Sequence, residues 1–182
     1  IHINDDNSWT AATTENTYDA LGKLTQRISI NQEFSNNPPD ATVVYNPNAP
    51  PAGAALTAAT KNINQYLYDA SGRQVKTVTI RIDEANNWTT IVIENTYDSN
   101  GKLTQRSTVN QEWTTAPSYA IPAQGVAITG GNIFTPPADD TTITTTKDIN
   151  QYVYDSDKQI KSVTIHINDD NSWTAATTEN TY

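Results

Sequence analysis

A chain of 182 residues is long enough to bury a core of ordinary size, yet only 36% of it is hydrophobic and its formal net charge is -9, so the core must be thin and sheet-like. The acidic balance excludes nucleic acid and an anionic membrane surface as partners, since both require clustered Lys and Arg. With no Cys in the chain, disulfides and thiolate metal sites are excluded, and no apolar run approaches the roughly 20 residues that span a bilayer, so no membrane insertion is expected of this segment.

Taken from its start, the chain reads Ile-His-Ile-Asn-Asp-Asp-Asn-Ser-Trp-Thr-Ala-Ala-Thr-Thr-Glu-Asn-Thr-Tyr over 1–18, and these letters return unchanged at 165–182. The offset, 165 − 1 = 164 residues, is the period of a tandem repeat. The chain is therefore expected to be a window on a longer array, with 165–182 opening the next copy. A weaker repeat lies inside the first: Ile80–Trp113 matches Ile1–Phe34 at more than half its positions, and Ile63-Asn64-Gln65-Tyr66-Leu67-Tyr68-Asp69 returns as Ile149-Asn150-Gln151-Tyr152-Val153-Tyr154-Asp155. Each period thus divides into half-repeats, 1–79 and 80–164. Stacked copies of this kind bury faces that a single copy cannot.

Within each half-repeat, turn signals recur. Asp19-Ala20-Leu21-Gly22, Asp69-Ala70-Ser71-Gly72 and Asp98-Ser99-Asn100-Gly101 share one form: Asp accepts from backbone N–H groups further along, and Gly supplies the positive φ that closes a hairpin. Asp155-Ser156-Asp157-Lys158 stands at the fourth such place without the Gly. Polar clusters at Asn4–Asn7, Asp83–Asn87 and Asn168–Asn171 turn the chain between the other strand pairs. Between turns the letters alternate, with Val78, Ile80 and Ile82 on one face and Thr77, Thr79 and Arg81 on the other, the pattern of half-buried antiparallel strands. Thr and Asn are abundant and helical periodicity is lacking, so the predicted fold is all-β: a meander of strands at 8–18, 23–34, 60–68, 73–83, 87–97, 102–113, 146–154 and 158–168, with the next copy starting at 172. The copies stack into an extended open sheet or fibre. Two Pro-rich insertions, 35–59 and 114–145, interrupt it. Pro-Pro at 38–39, 50–51 and 136–137 forbids ladder pairing, so these segments are expected on the surface or against a partner, their apolar pieces Ala41–Tyr45, Val126–Ile128 and Ile133–Phe134 docking somewhere.

With its Tyr-Asp-x-x-Gly-Lys/Arg motifs aligned, the chain resembles the YD-repeat proteins, the group that includes Rhs elements, shell components of insecticidal toxin complexes and teneurins. Tyr-x-Tyr-Asp at 66–69 and 152–155, with Gly72-Arg73, carries the likeness most closely. The resemblance implies long antiparallel sheets that wind into hollow shells.

The candidate chemistry is sparse. His2 and His166, the two histidines, share one repeat position at which the sister half-repeat has Arg81, so they read as strand-surface residues and no catalytic set is built on them. No enzyme is expected. Asp5-Asp6-Asn7 and Asp169-Asp170-Asn171 offer oxygen ligands of the kind Ca²⁺ accepts but not the spaced acidic pattern of a calcium loop, so turn chemistry is the reading and no cofactor is assigned. Glu15, Glu94 and Glu179 recur before Asn-Thr-Tyr and suit ladders with Lys or Arg. The turn residues Asp19, Gly22, Asp69, Gly72, Asp98, Gly101 and Asp155 are expected to set the hairpins. Trp9, Trp88 and Trp173, with Tyr18, Tyr68, Tyr97 and Tyr154, are expected to pack neighbouring repeats. The function expected first is a structural segment of a secreted, bacterial, extracellular or cell-surface filament or stalk whose partner is itself. Second comes a surface adhesin binding glycan or protein, and third a toxin-encapsulating shell of the YD type.

Overall fold

The computed structural model describes residues 1–40, 44–113, 120–123, 125–135 and 142–182; Ala41–Val43 and Pro136-Pro137 of the expected docking pieces and breaks lie outside these. Ten strands follow one another: β1 His2–Ile3, β2 Trp9–Tyr18, β3 Leu24–Phe34, β4 Leu56–Tyr68, β5 Gln74–Ile82, β6 Trp88–Tyr97, β7 Leu103–Trp113, β8 Thr142–Asp155, β9 Lys158–Ile167 and β10 Trp173–Glu179. They form one open sheet in sequence order, each strand antiparallel to the one before, with no helix among the described residues. The all-β meander read from the alternation is the fold. Beyond the short β1, which was not among the expected strands, two strand starts differ from expectation by more than one residue: β4 begins at Leu56 rather than 60 and β8 at Thr142 rather than 146. In both, the ladder steps past a register shift, at Glu33/Phe34 and at Glu112/Trp113, so that Leu56 faces Phe34 and Thr142 faces Trp113. The ends of β3 and β7 thereby keep partners for their backbone groups.

One turn design serves both rims of the sheet. At Asp19–Lys23 the Gly22 amide donates to the Asp19 carbonyl (3.0 Å), the Asp19 amide donates to the Lys23 carbonyl (2.9 Å), and Gly22 sits at φ +79. This is a tight turn followed by one left-handed residue, a geometry that matches strand twist. Asp69–Arg73 and Asp98–Lys102 repeat it, with Gly72 at +80 and Gly101 at +84. On the opposite rim Asn4–Ser8, Asp83–Asn87 and Asn168–Ser172 close in the same way. There the left-handed residue is Asn7, Asn86 or Asn171, at φ 61 to 64. Asn tolerates that region better than other residues with a Cβ. The Gly-less fourth turn places Ser156 at φ 52 and keeps Asp155 paired with Lys158.

Along β3 to β6 the residues Ile28, Ile63, Val78, Ile80 and Val92 lie buried on one face, while Ser29, Asn62, Asn64, Thr77 and Thr79 face the other way, half-buried among their neighbours. A single sheet has no second layer to cover its apolar face. The insertions supply one. Apart from 56–59 and 142–145, which lengthen β4 and β8, their described residues stay out of the ladder, but they are not outward arms: Ile128, Ile133 and Phe134 of the second insertion are buried in one cluster with Ile63, Val78, Ile80, Trp88 and Trp113. Tyr45 and Ala54 of the first pack against Trp9, Ala11 and Phe34. Each such apolar side chain removed from water contributes about 1.5–3 kcal/mol. Val44, expected to dock with Tyr45, is instead 93% exposed, and Val126 is also exposed.

Candidate assembly surface

Hairpins are coupled along the rim of tight turns by a repeated contact. The Lys23 ammonium lies over the Tyr68 ring at 5.2 Å, the Arg73 guanidinium over Tyr97 at 4.9 Å, Lys102 over Tyr154 at 5.6 Å and Lys158 over Tyr182 at 5.0 Å. Each cation stands just after a tight turn, where one strand begins, and reaches the Tyr at or just past the far end of the next strand after it, on the neighbouring hairpin. The Tyr hydroxyls point back across the same gap: Tyr68 donates to the Leu24 carbonyl (3.0 Å), and Tyr97 and Tyr182 donate to those of Gln74 and Gln159 (3.1 and 3.0 Å). Gly72 and Gly101 leave room for the cation, for a Cβ on Gly72 would strike the Lys23 ammonium and one on Gly101 would come within 3.3 Å of Arg73. At the Gly-less turn Lys102 instead meets the Asp157 carboxylate at 3.1 Å. Tyr18, first in the series, is 54% exposed.

The Asp that opens each turn is held by it. Asp19, Asp69 and Asp98 each accept two backbone N–H bonds, from the residues two and four places on. For Asp69 the Arg73 amide, then the Arg73 side chain, hold its carboxyl below the usual range. Asp6, Asp83 and Asp170 are lowered likewise, chiefly by the side chains of Ser8, Asn87 and Ser172. These carboxylates serve their own turns, and among the described residues no group of three or more His, Asp or Glu converges. Two of the recurring glutamates pair across strands, Glu94 with Lys76 at 3.3 Å and Glu179 with Lys161 at 3.2 Å. His166 lies between Asp148 (2.6 Å) and Asn168 (3.0 Å), and its hydrogen bond to Asp148 raises its pKa above the ordinary imidazole value.

The lids are pinned by glutamines that alternation alone would have made apolar. Gln65 accepts from the Phe134 amide (2.9 Å) and donates to Gln26 (3.1 Å), and Gln26 donates to the Pro122 carbonyl (3.2 Å). Both side chains are buried, so this chain of bonds satisfies groups whose desolvation would otherwise cost stability. The first lid uses Gln32, which accepts from Tyr45 Oη (2.5 Å) and donates to the Pro47 carbonyl (3.3 Å). Sequence reasoning passed over these residues, although a Gln recurring on the apolar side of a strand was signal enough.

The three repeat tryptophans have different surroundings. Trp9 is fully buried, stacked on Phe34 at 4.0 Å with Tyr45 edge-on at 5.5 Å, and its indole N–H donates to the Asn36 carbonyl (2.9 Å). Trp88 is buried opposite Trp113. Trp173, in sequence the same residue as Trp9, is 66% exposed. Around it the face of β8 to β10 is less covered: half-buried Gln105 of β7 and exposed Gln151, the counterparts of Gln26 and Gln65, touch at 3.3 Å, and Ile149, Val163 and Ile165 are half-buried where Ile63, Val78 and Ile80 are fully so. The register at the two ends is the same, His2 and Ile3 facing Thr10 and Trp9 as His166 and Ile167 face Thr174 and Trp173. Compared with family models, with curated proteins and with solved structures, the chain matches none.

Proposed function

We propose that this chain is a structural segment of an extended, self-assembling β-filament or stalk, made of repeats that add to one another through their sheet edges. The observation that carries the reading is that the sheet ends as it begins. The register of β9 on β10 is the register of β1 on β2, so every junction between copies is equivalent, the condition for open-ended growth. The cation–tyrosine contacts support it, since they recur at each hairpin step from Lys23–Tyr68 to Lys158–Tyr182 and leave Tyr18, the first tyrosine of the series, exposed. A cysteine-free, acidic, Thr- and Asn-rich composition suits an exported bacterial surface polypeptide. Kinship with YD repeats is part of the same proposal: the Tyr, Asp, Gly and Lys/Arg of the motif each have a task at the rim.

A second reading, an adhesin, is favoured by a pocket of about 330 Å³ in the first lid, lined by Pro38, Pro39, Val44, Tyr45 and Pro51 with Asn37 and Asn46. Rings with amide groups beside them suit a sugar. Electron microscopy of the purified chain over a concentration series tests the first reading: linear particles that lengthen with concentration support it, and monomers or closed particles refute it. Retention on a glycan array that is lost in Tyr45→Ala would favour the second.

A further inference from the structure

The middle of the sheet, on the face turned away from the lids, carries a pattern of its own. Because side chains alternate along a strand, buried Trp88, Thr90 and Val92 of β6 leave Thr89, Ile91 and Ile93 on the other face. Arg81, Thr79 and Thr77 of β5 lie directly beside these three on one flank, and Glu112, Asn110 and Thr108 of β7 lie beside them on the other. Ile91 and Ile93 are half-buried and belong to neither core cluster. One half-repeat earlier their places are held by Ala12 and Thr14, so the apolar centre is particular to β6. Arg81 and Glu112 are exposed, and among the described residues neither makes an ion pair. Their backbones stand two strand spacings apart, about 10 Å.

We infer that two copies of this chain associate through this face, β6 against β6, about a two-fold axis running along β6 between the sheets. Such an axis exchanges the flanks, so what stands on the β5 side of one copy meets what stands at the same height on the β7 side of the other. Arg81 of each copy then meets Glu112 of the other, Thr79 and Thr77 meet Asn110 and Thr108, and Ile91 and Ile93 meet their own counterparts. The patch is self-complementary, as an isologous interface requires. With the axis laid across the strands instead, Arg81 would face Thr77 and Glu112 would face Thr108, covering both charges without a partner, so the charges choose the orientation. Packed sheets lie about 10 Å apart with strands within about 30° of each other, a gap that the long arginine and glutamate side chains close from opposite sides. Between them the isoleucines leave water. The patch lies in mid-sheet and leaves both edges free, so this pairing is independent of growth by edge addition.

Charge reversal gives the test. The full chain, Arg81→Glu, Glu112→Arg and the double reversal are compared by sedimentation velocity over a concentration series, with urea unfolding to confirm that each variant folds. A single reversal sets like charges together at two places and should weaken association about tenfold or more. The double reversal rebuilds both pairs with their signs exchanged and should restore it. Glu112→Arg also separates pairing from bulk repulsion: it reduces the magnitude of the -9 net charge, and would strengthen an association governed by net charge alone. Ile91→Lys, which puts a charge at the apolar centre, should remove the pair altogether. Equal association of all these forms overturns the inference and leaves the filament reading standing. A double reversal no tighter than the single ones overturns it too, and a chain that stays monomeric at every concentration sinks both.

Discussion

Trp9 and Trp173 occupy the same position in identical eighteen-residue stretches, so replacing each by Ala isolates what covering is worth. Trp9 is wholly buried, stacked at 4.0 Å on Phe34, and its N–H satisfies the Asn36 carbonyl. Removing a buried Trp costs about 3–5 kcal/mol, and the abandoned carbonyl places Trp9→Ala toward the upper end, near 4–5 kcal/mol. Trp173 keeps only about a third of its surface from water, so Trp173→Ala should cost about 1 kcal/mol. In urea, with a slope of about 2 kcal/mol/M, the first substitution lowers the unfolding midpoint by about 2 M and the second by about 0.5 M. The measurement belongs at concentrations dilute enough to keep the chain monomeric. Equal shifts for the two variants would refute the claim that lid and strand neighbours, rather than local sequence, decide the tryptophan's contribution.

Phe134→Ala should destabilise by about 3–5 kcal/mol, because a lid residue with no exposed surface is core; a change under 1 kcal/mol by the same urea titration would return the second insertion to the surface. Gly22→Ala meets only the cost of its positive φ, about 1–2 kcal/mol, whereas Gly72→Ala adds a collision with Lys23 and should disturb the Tyr68 ring as well, which two-dimensional NMR of the aromatic region would reveal. The histidine and the turn carboxylates act in opposite pH windows. His166, raised by Asp148, contributes stability that is complete below its unfolded value of about 6.5 and is lost as pH rises through the raised folded value. Asp69, Asp6, Asp83 and Asp170, all lowered, contribute above about pH 3.9 and lose that contribution as pH falls through their folded values. Melting temperature should therefore fall below pH 4, and Asp148→Asn should bring the NMR titration of His166 back toward the ordinary imidazole value.

The parts of the fold that obey a local rule were legible in the letters. Val78 and Ile80 alternate with Thr77 and Thr79, and the strand follows; Asp69 and Gly72 sit where a left-handed residue closes a turn, and the hairpin follows. The lids obey no local rule. Ile128, Ile133 and Phe134 have neither period two nor period 3.6, and what they bury against, Ile63 and Val78, lies some 50 or more residues earlier in the chain. The prolines told only what these segments cannot do. Likewise the cation–tyrosine rim was half visible: the motif named Tyr, Asp, Gly and Lys, but that Lys23 belongs to Tyr68 and not to Tyr18 depends on which hairpin lies beside which. The early starts of β4 and β8 came from register shifts that no spacing announces.

Open-ended growth by edge addition is tested most directly by helical reconstruction of the native assembly from electron micrographs. From β2 to its counterpart β10 the sheet advances eight strands, and at about 4.8 Å per strand one period should rise about 38 Å along the pairing direction. With the usual twist of roughly 20–25° between neighbours, it should turn through about half a revolution. A filament with that rise, or with half of it where the two half-repeats are not distinguished, is the predicted result. Discrete closed particles, or a filament whose strands run along its axis instead of across it, would contradict the account.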